Sequence, residues 1–130
     1  GMLSFELPFV EDEWTTTKIF EYFNVQNDVN ITKSNQLHNT ILIMRKCLHS
    51  VDVILNAYQA LCDDPLLYTD AYNEHHGNSI NFKDNRHDQS IFSVIKKKKG
   101  CVVITEETWF APNWNSEASL NSPIWATRFR

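Results

Sequence analysis

Arg86, His87, Asp88 and Gln89 stand together directly ahead of an apolar helical pattern. A carboxylate beside an imidazole can orient the ring, raise its pKa or share a metal with it. At a cleft the same carboxylate can take a proton from a hydroxyl. The plainer reading of these four residues is a helix start, with Asp88 as the cap and Arg86 and His87 in solvent. Glu74, His75 and His76, taken with His87 and Asp88, offer nitrogen and oxygen ligands. Their spacing matches no helical zinc signature such as His-Glu-x-x-His, so solvated loop histidines are expected and no metal ligand is assigned. Lys96 to Lys99 could meet phosphate, but cations also suit the end of a helix, and a solvated helix end is expected there. Glu11, Asp12, Glu13, Asp63 and Asp64 give local acidity from which a general base could come. Trp109, Trp114 and Trp125 lie near Asn113, Asn115 and Asn121. Aromatic faces with amide side chains can grip a sugar, although core tryptophans beside loop asparagines would look the same.

Several function classes drop out. The chain has 130 residues and a formal net charge of -4, from 12 Lys+Arg against 16 Asp+Glu. That length fits a single domain over residues 1–130. The acidic balance argues against generic nucleic-acid binding, so no nucleic-acid partner is expected. No apolar run is long enough for a membrane span, and no basic, apolar and small-residue series reads as a signal peptide. A cytoplasmic location is expected. The glycines are only Gly1, Gly77 and Gly100, so no glycine-rich phosphate loop can be drawn. Cys47, Cys62 and Cys101 form no Cys-x-x-Cys pair, which fits reduced thiols rather than a zinc site. No Gly-x-Ser-x-Gly elbow occurs.

The elements that must position these residues follow from periodicity. Residues 2–9 alternate, with Leu3, Phe5 and Leu7 on one face, and Pro8 should end that strand. Thr15 should cap a helix to about Asn24, stapled by Trp14 and Ile19, with Ile19, Phe20 and Phe23 facing inward. Residues 24–36 read as loop. The run Thr40 to Met44 suggests a buried strand. Ser50 should cap a helix to Asp63 whose core face is Val51, Ile54, Leu55, Tyr58, Leu61 and Cys62. Asp88 to Lys99 reads as another helix, ended by Gly100, with Ile91, Phe92 and Ile95 inward. Cys101 to Thr105 suggests a second buried strand, residues 106–123 a loop, and Ile124 to Arg130 a short strand. The order gives an α/β class: a small mixed sheet with packed helices.

Three segments together resemble GT-A-type glycosyltransferases. Thr40-Ile41-Leu42-Ile43-Met44-Arg45-Lys46-Cys47, followed by Ser50 and an amphipathic helix, is similar to a strand ending in Arg-Asn or Arg-Lys ahead of Ser and a helix in that family. Arg86-His87-Asp88-Gln89-Ser90-Ile91-Phe92-Ser93 resembles the His-Asp-Gln helix start of bacterial sugar-transferase-like proteins. Leu3 to Pro8 with Glu13-Trp14-Thr15, and the ending Pro123 to Arg130, are also similar to parts of such chains. The resemblance covers nearly the whole sequence but only the C-terminal half of a complete nucleotide-diphospho-sugar transferase. The Rossmann-like donor half and its Asp-x-Asp metal motif have no counterpart here, and Glu11-Asp12-Glu13 does not replace that motif.

The resemblance implies the acceptor-side half of a sugar transferase, a partial fold not expected to act alone. It implies catalytic roles for Asp88, as base or acceptor contact, and for His87. It implies substrate contacts from Arg86, Gln89, Trp109, Arg128 and Arg130, the two C-terminal arginines toward donor phosphate. A divalent metal such as Mn or Mg would enter only if a separate nucleotide-binding chain supplied the donor site. A sugar acceptor or nucleotide sugar is the expected ligand. The alternative is a non-catalytic carbohydrate- or protein-binding domain using the Trp-rich C-terminal loop. Unpaired strand edges in a half-fold also suggest a homo-oligomer.

Overall fold

The computed structural model describes residues 1–109 and 112–126. Its centre is one strand, β1 (Met2–Val10). Leu3 pairs with Ile43 on one side and Val102 on the other, and Glu6 pairs with both Leu37 and Thr105. The antiparallel strands β2 (Asn35–Leu37) and β3 (Ile43–Met44) therefore share one side of β1, and β4 (Val102–Thr105) runs parallel along the other. The result is a small mixed sheet with packed helices, as the element order suggests. Pro8 sits inside β1 rather than ending it, in the stretch where the β1–β2 register shifts between Glu6 and Val10. A proline has no N–H for a ladder, so it is tolerated at such an irregularity.

Between β1 and β2 lie three short helices: α1 (Glu11–Trp14), α2 (Thr17–Tyr22) and α3 (Val29–Thr32). Residues 24–36 are thus not simply loop. The expected helix capped by Thr15 is split, because the Thr15 hydroxyl donates to Glu11 Oε1 at 2.7 Å instead of capping. Ile19, Phe20 and Phe23 are buried as their spacing predicts.

Two long helices build the core with β1. In α4 (Leu48–Asp63) Cys47 is the N-cap, and Ser50 reaches back to accept from the Cys47 N–H at 3.1 Å. A 3-10 turn, Pro65–Tyr68, follows. Then comes α5 (Asp88–Lys99), ended at Gly100, whose φ of 87° suits a residue without Cβ. The main core joins Met2, Ile19, Phe20, Val53, Ala57, Ala60, Leu67, Ile91, Val94 and Ile95, with Phe92 partly buried against it.

The face of α4 is inverted from its sequence expectation. Ser50, Val53, Ala57 and Ala60 point inward, while Val51, Ile54, Leu55, Tyr58, Leu61 and Cys62 are exposed. Positions 50, 53, 57 and 60 form a helical stripe of their own. Its small residues let α4 approach α5 closely, which a stripe of Leu and Tyr would prevent. The expected buried strands also come out exposed. Only Ile43–Met44 of the first is strand, and Val102 and Val103 of the second face solvent, because β3 and β4 pack substantially against β1 alone and no helix among the described residues covers their faces.

Beyond β4, the strands β5 (Thr108–Trp109) and β6 (Ile124–Trp125) pair in parallel around the short helix α6 (Glu117–Leu120). The expected strand at Ile124 is present to Trp125, and its continuation through Arg130 lies outside the described residues. No helix among the described residues is long and apolar enough to cross a membrane.

Candidate functional site

The residues Arg86 to Gln89 do line one cleft. It has a volume of about 390 Å3, and its other walls are Trp14, Thr40, Asp84 and Asn85. Three elements position it. The corner after α1 supplies Trp14, the segment after β2 supplies Thr40, and the start of α5 supplies the rest.

Backbone geometry makes the corner. His87 has φ 53° and ψ -120°, a region that side-chain-bearing residues rarely occupy. Such strain costs about 1–3 kcal/mol and persists where the surroundings over-determine it. Here the surroundings are visible. The Ser90 hydroxyl accepts from the Arg86 N–H at 3.1 Å and donates to the Trp14 carbonyl at 2.6 Å. The Arg86 N–H also reaches the same Trp14 carbonyl at 3.1 Å. The chain is thereby clamped to α1 just before the helix begins.

Arg86 is spent on aromatic rings. Its guanidinium lies 4.3 Å from the Phe9 ring centroid and 4.4 Å from that of Trp14. Partial burial lowers its pKa from the ordinary arginine value. His87 is exposed, and its Nε2 lies 2.6 Å from Asp70 Oδ1. Asp88 is exposed as well, and Asn39 donates to its Oδ2 at 2.7 Å. The Asp88 charge acts on Tyr68, whose hydroxyl is pushed up to about 12 by burial first and by that charge second. Gln89 donates to Gln36 Oε1 at 2.8 Å, which ties the cleft wall into the interior. Two polar atoms of cleft-lining residues, Trp14 Nε1 and Asn85 Oδ1, are buried with no hydrogen-bond partner among the described residues. Asn85 is 2% exposed, and its Nδ2 is held by the Leu67 and Thr69 carbonyls.

The cleft thus offers an oriented carboxylate, an imidazole–carboxylate pair and a flat indole edge. These can hold a polar ligand with hydroxyls and accept a proton from one of them. Trp109 is not among its walls. It sits on β5 in register with Trp125, and its own Nε1 is buried with no hydrogen-bond partner among the described residues. Arg128 and Arg130 lie outside the described residues. His75 and His76 do not join His87 and Asp88. Among the described residues no three His, Cys, Asp or Glu side chains gather as metal ligands.

Sequence reasoning missed Asn39, Thr40, Trp14 and Asp70. Asn39 is 49 positions from Asp88, and an isolated Asn in a loop carries no periodic signal. Trp14 was readable only as a staple. No family model, curated protein or solved structure matches this chain.

Proposed function

We propose that this chain is the acceptor-side half of a nucleotide-sugar-dependent sugar transferase, with the acceptor held in the cleft at the start of α5. The observation that carries the reading is Asp88: an exposed carboxylate on the cleft wall, fixed by Asn39, beside a strained His87. In this reading Asp88 takes the proton of the acceptor hydroxyl as that oxygen attacks the sugar carbon. Gln89 meets the acceptor's hydroxyls, and Trp14, whose ring carries the Arg86 guanidinium, forms the cleft wall beside them. His87, held by Asp70, closes the rim. The nucleotide diphosphate, and any Mn or Mg bound with it, would belong to a separate donor-binding chain.

A second reading has a specific observation in its favour. Trp114 and Trp125 are ring-paired at 5.9 Å, and Trp125 is 45% exposed. A non-catalytic carbohydrate- or protein-binding domain would use that surface.

One thermal-shift series separates the two. Mono- and oligosaccharides, and UDP- and GDP-sugars with and without manganese, are added to the native chain, Asp88→Asn and Trp125→Ala. A ligand that binds only the folded state raises the melting temperature by mass action. The transferase reading expects a saccharide shift that Asp88→Asn abolishes and Trp125→Ala retains. The opposite pattern selects the binding domain. No shift from any saccharide overturns the acceptor site.

A further inference from the structure

The apolar stripe of α4 is the largest feature that neither the fold nor the cleft uses. Leu48 is 91% exposed, Leu55 57% and Tyr58 63%, with Val51, Ile54 and Leu61 also open. Beside them Met44, Lys46, Val51, Ile54 and Leu55 line a groove of about 410 Å3. Leu42, Ile43 and Met44 are exposed as well, and Met44 joins this stripe at the groove. A single isolated patch this large on a monomer is uncommon.

We propose that this face docks a second copy of the same chain, with the two α4 helices packed antiparallel about a two-fold axis at Leu55. The spacing carries the assignment. Leu48, Val51, Leu55, Tyr58 and Cys62 repeat at alternating intervals of three and four, the seam pattern of paired helices. The buried residues Val53, Ala57 and Ala60 lie off that seam, so the helix serves two faces at once. An antiparallel pairing centred on Leu55 sets Leu55 against itself, Val51 against Tyr58 and Leu48 against Cys62. Large residues then meet small ones at each layer on both sides of the axis.

Charge agrees with this direction. Arg45 and Lys46 are exposed ahead of the helix, and Asp63 is exposed at its end, with Asp64 next to it. Antiparallel packing brings the basic end of each copy to the acidic end of the other, and parallel packing would set like charges together. A two-fold contact is self-complementary in just this sense, since whatever one copy offers the other must receive. The helix is about 24 Å long, enough for the axial Leu55 layer and the two layers on each side of it.

Sedimentation equilibrium at tens of micromolar tests the proposal. The native chain is expected to be dimeric, and Leu55→Glu monomeric, with its dissociation constant raised at least about 100-fold and its circular dichroism unchanged. A native chain that stays monomeric overturns the proposal and leaves the face to a different protein. So does a Leu55→Glu variant that dimerises like the native chain. If Leu55→Glu does not fold, Leu55→Cys in a Cys62→Ser background decides. Mild oxidation should give a disulfide-linked dimer through position 55, and its failure to form under conditions where the variant is folded overturns the axis.

Discussion

The two long helices invert each other. Helix α4 is the more apolar in composition and shows its widest apolar stripe to solvent. Helix α5 carries Asp88, two serines and four lysines, and it is the one the fold surrounds: Ser90, Ile91, Ser93, Val94, Ile95 and Lys96 are all buried. The difference teaches that polarity is no bar to burial when every polar atom has a partner, and that an apolar face is no guarantee of burial within one chain. Along α5 the partners can be named. Ser93 accepts from the Leu37 N–H at 2.8 Å and donates to Glu11 Oε2 at 2.6 Å. The other Glu11 oxygen accepts from Thr15 and Gln36, and Lys97 closes the ion pair. Lys96 donates to the His38 carbonyl at 2.7 Å and to Ser4 Oγ at 3.2 Å. Lys98 donates to the Phe23 carbonyl at 2.6 Å, and Lys99 pairs with Asp52 at 2.8 Å. The expected solvated lysine run is instead four separate anchors: Lys96 is buried and Lys97 half-buried where α5 packs on α4 and β2, and only Lys98 and Lys99 lie at an exposed helix end.

The largest effect should come from opening the network under α5. Glu11 is fully buried, and its two oxygens accept from Lys97, Ser93, Thr15 and Gln36. Glu11→Gln turns one acceptor oxygen into a donor facing donors and leaves the lysine unpaired. A loss of about 3–5 kcal/mol is expected in urea denaturation. A loss below about 1 kcal/mol would mean that the interior of α5 tolerates an unpaired charge and would break the contrast.

The next effect is one of pH. Burial holds the Lys96 pKa at about 8, against 10.5 for an exposed lysine. Between these values the unfolded chain carries a proton that the native chain has released. Stability therefore rises with pH across that window, by up to about 3 kcal/mol. Above pH 10 the sign reverses. Tyr22 and Tyr68 are raised to about 12, both chiefly by burial, so the unfolded chain loses their protons first. The Lys96 charge also acts on Cys101, pulling its burial-raised thiol pKa down, so the comparison is made in a Cys101→Ser background, where that coupling is gone. Denaturation midpoints from pH 7 to pH 10 should climb more steeply with Lys96 in place than for Lys96→Met. Parallel curves would mean that Lys96 is solvated.

The smallest effect is the sharpest comparison, since it uses one residue type on two faces of one helix. Val53 is fully buried, and Val51 is 42% exposed. Val53→Ala should cost about 2 kcal/mol and Val51→Ala under about 0.5 kcal/mol, both measured at low protein concentration where α4 has no second copy against it. Equal costs would show that the exposed stripe is already covered in the monomer.

Much of this was legible from local pattern. The alternation of Leu3, Phe5 and Leu7 marks β1, and the acid-first, base-last, Gly-after order marks α5 to within its observed ends. Asp88 at the head of an apolar helix was legible as a candidate for the same reason. Caps, dipoles and φ preferences act over a few residues, so a few residues report them.

What the sequence determined by itself is therefore the existence of the main elements, the acidic and glycine-poor composition that excludes phosphate loops, and the neighbourhood of Arg86 to Gln89. Only tertiary structure decided which stripe of α4 turns inward, because two stripes on that helix were both eligible and the choice depends on how closely α5 must approach. Only tertiary structure brought Asn39 and Trp14 to Asp88 and buried Lys96. Those contacts span 49 to 92 positions along the chain, and no local period encodes a partner that distant.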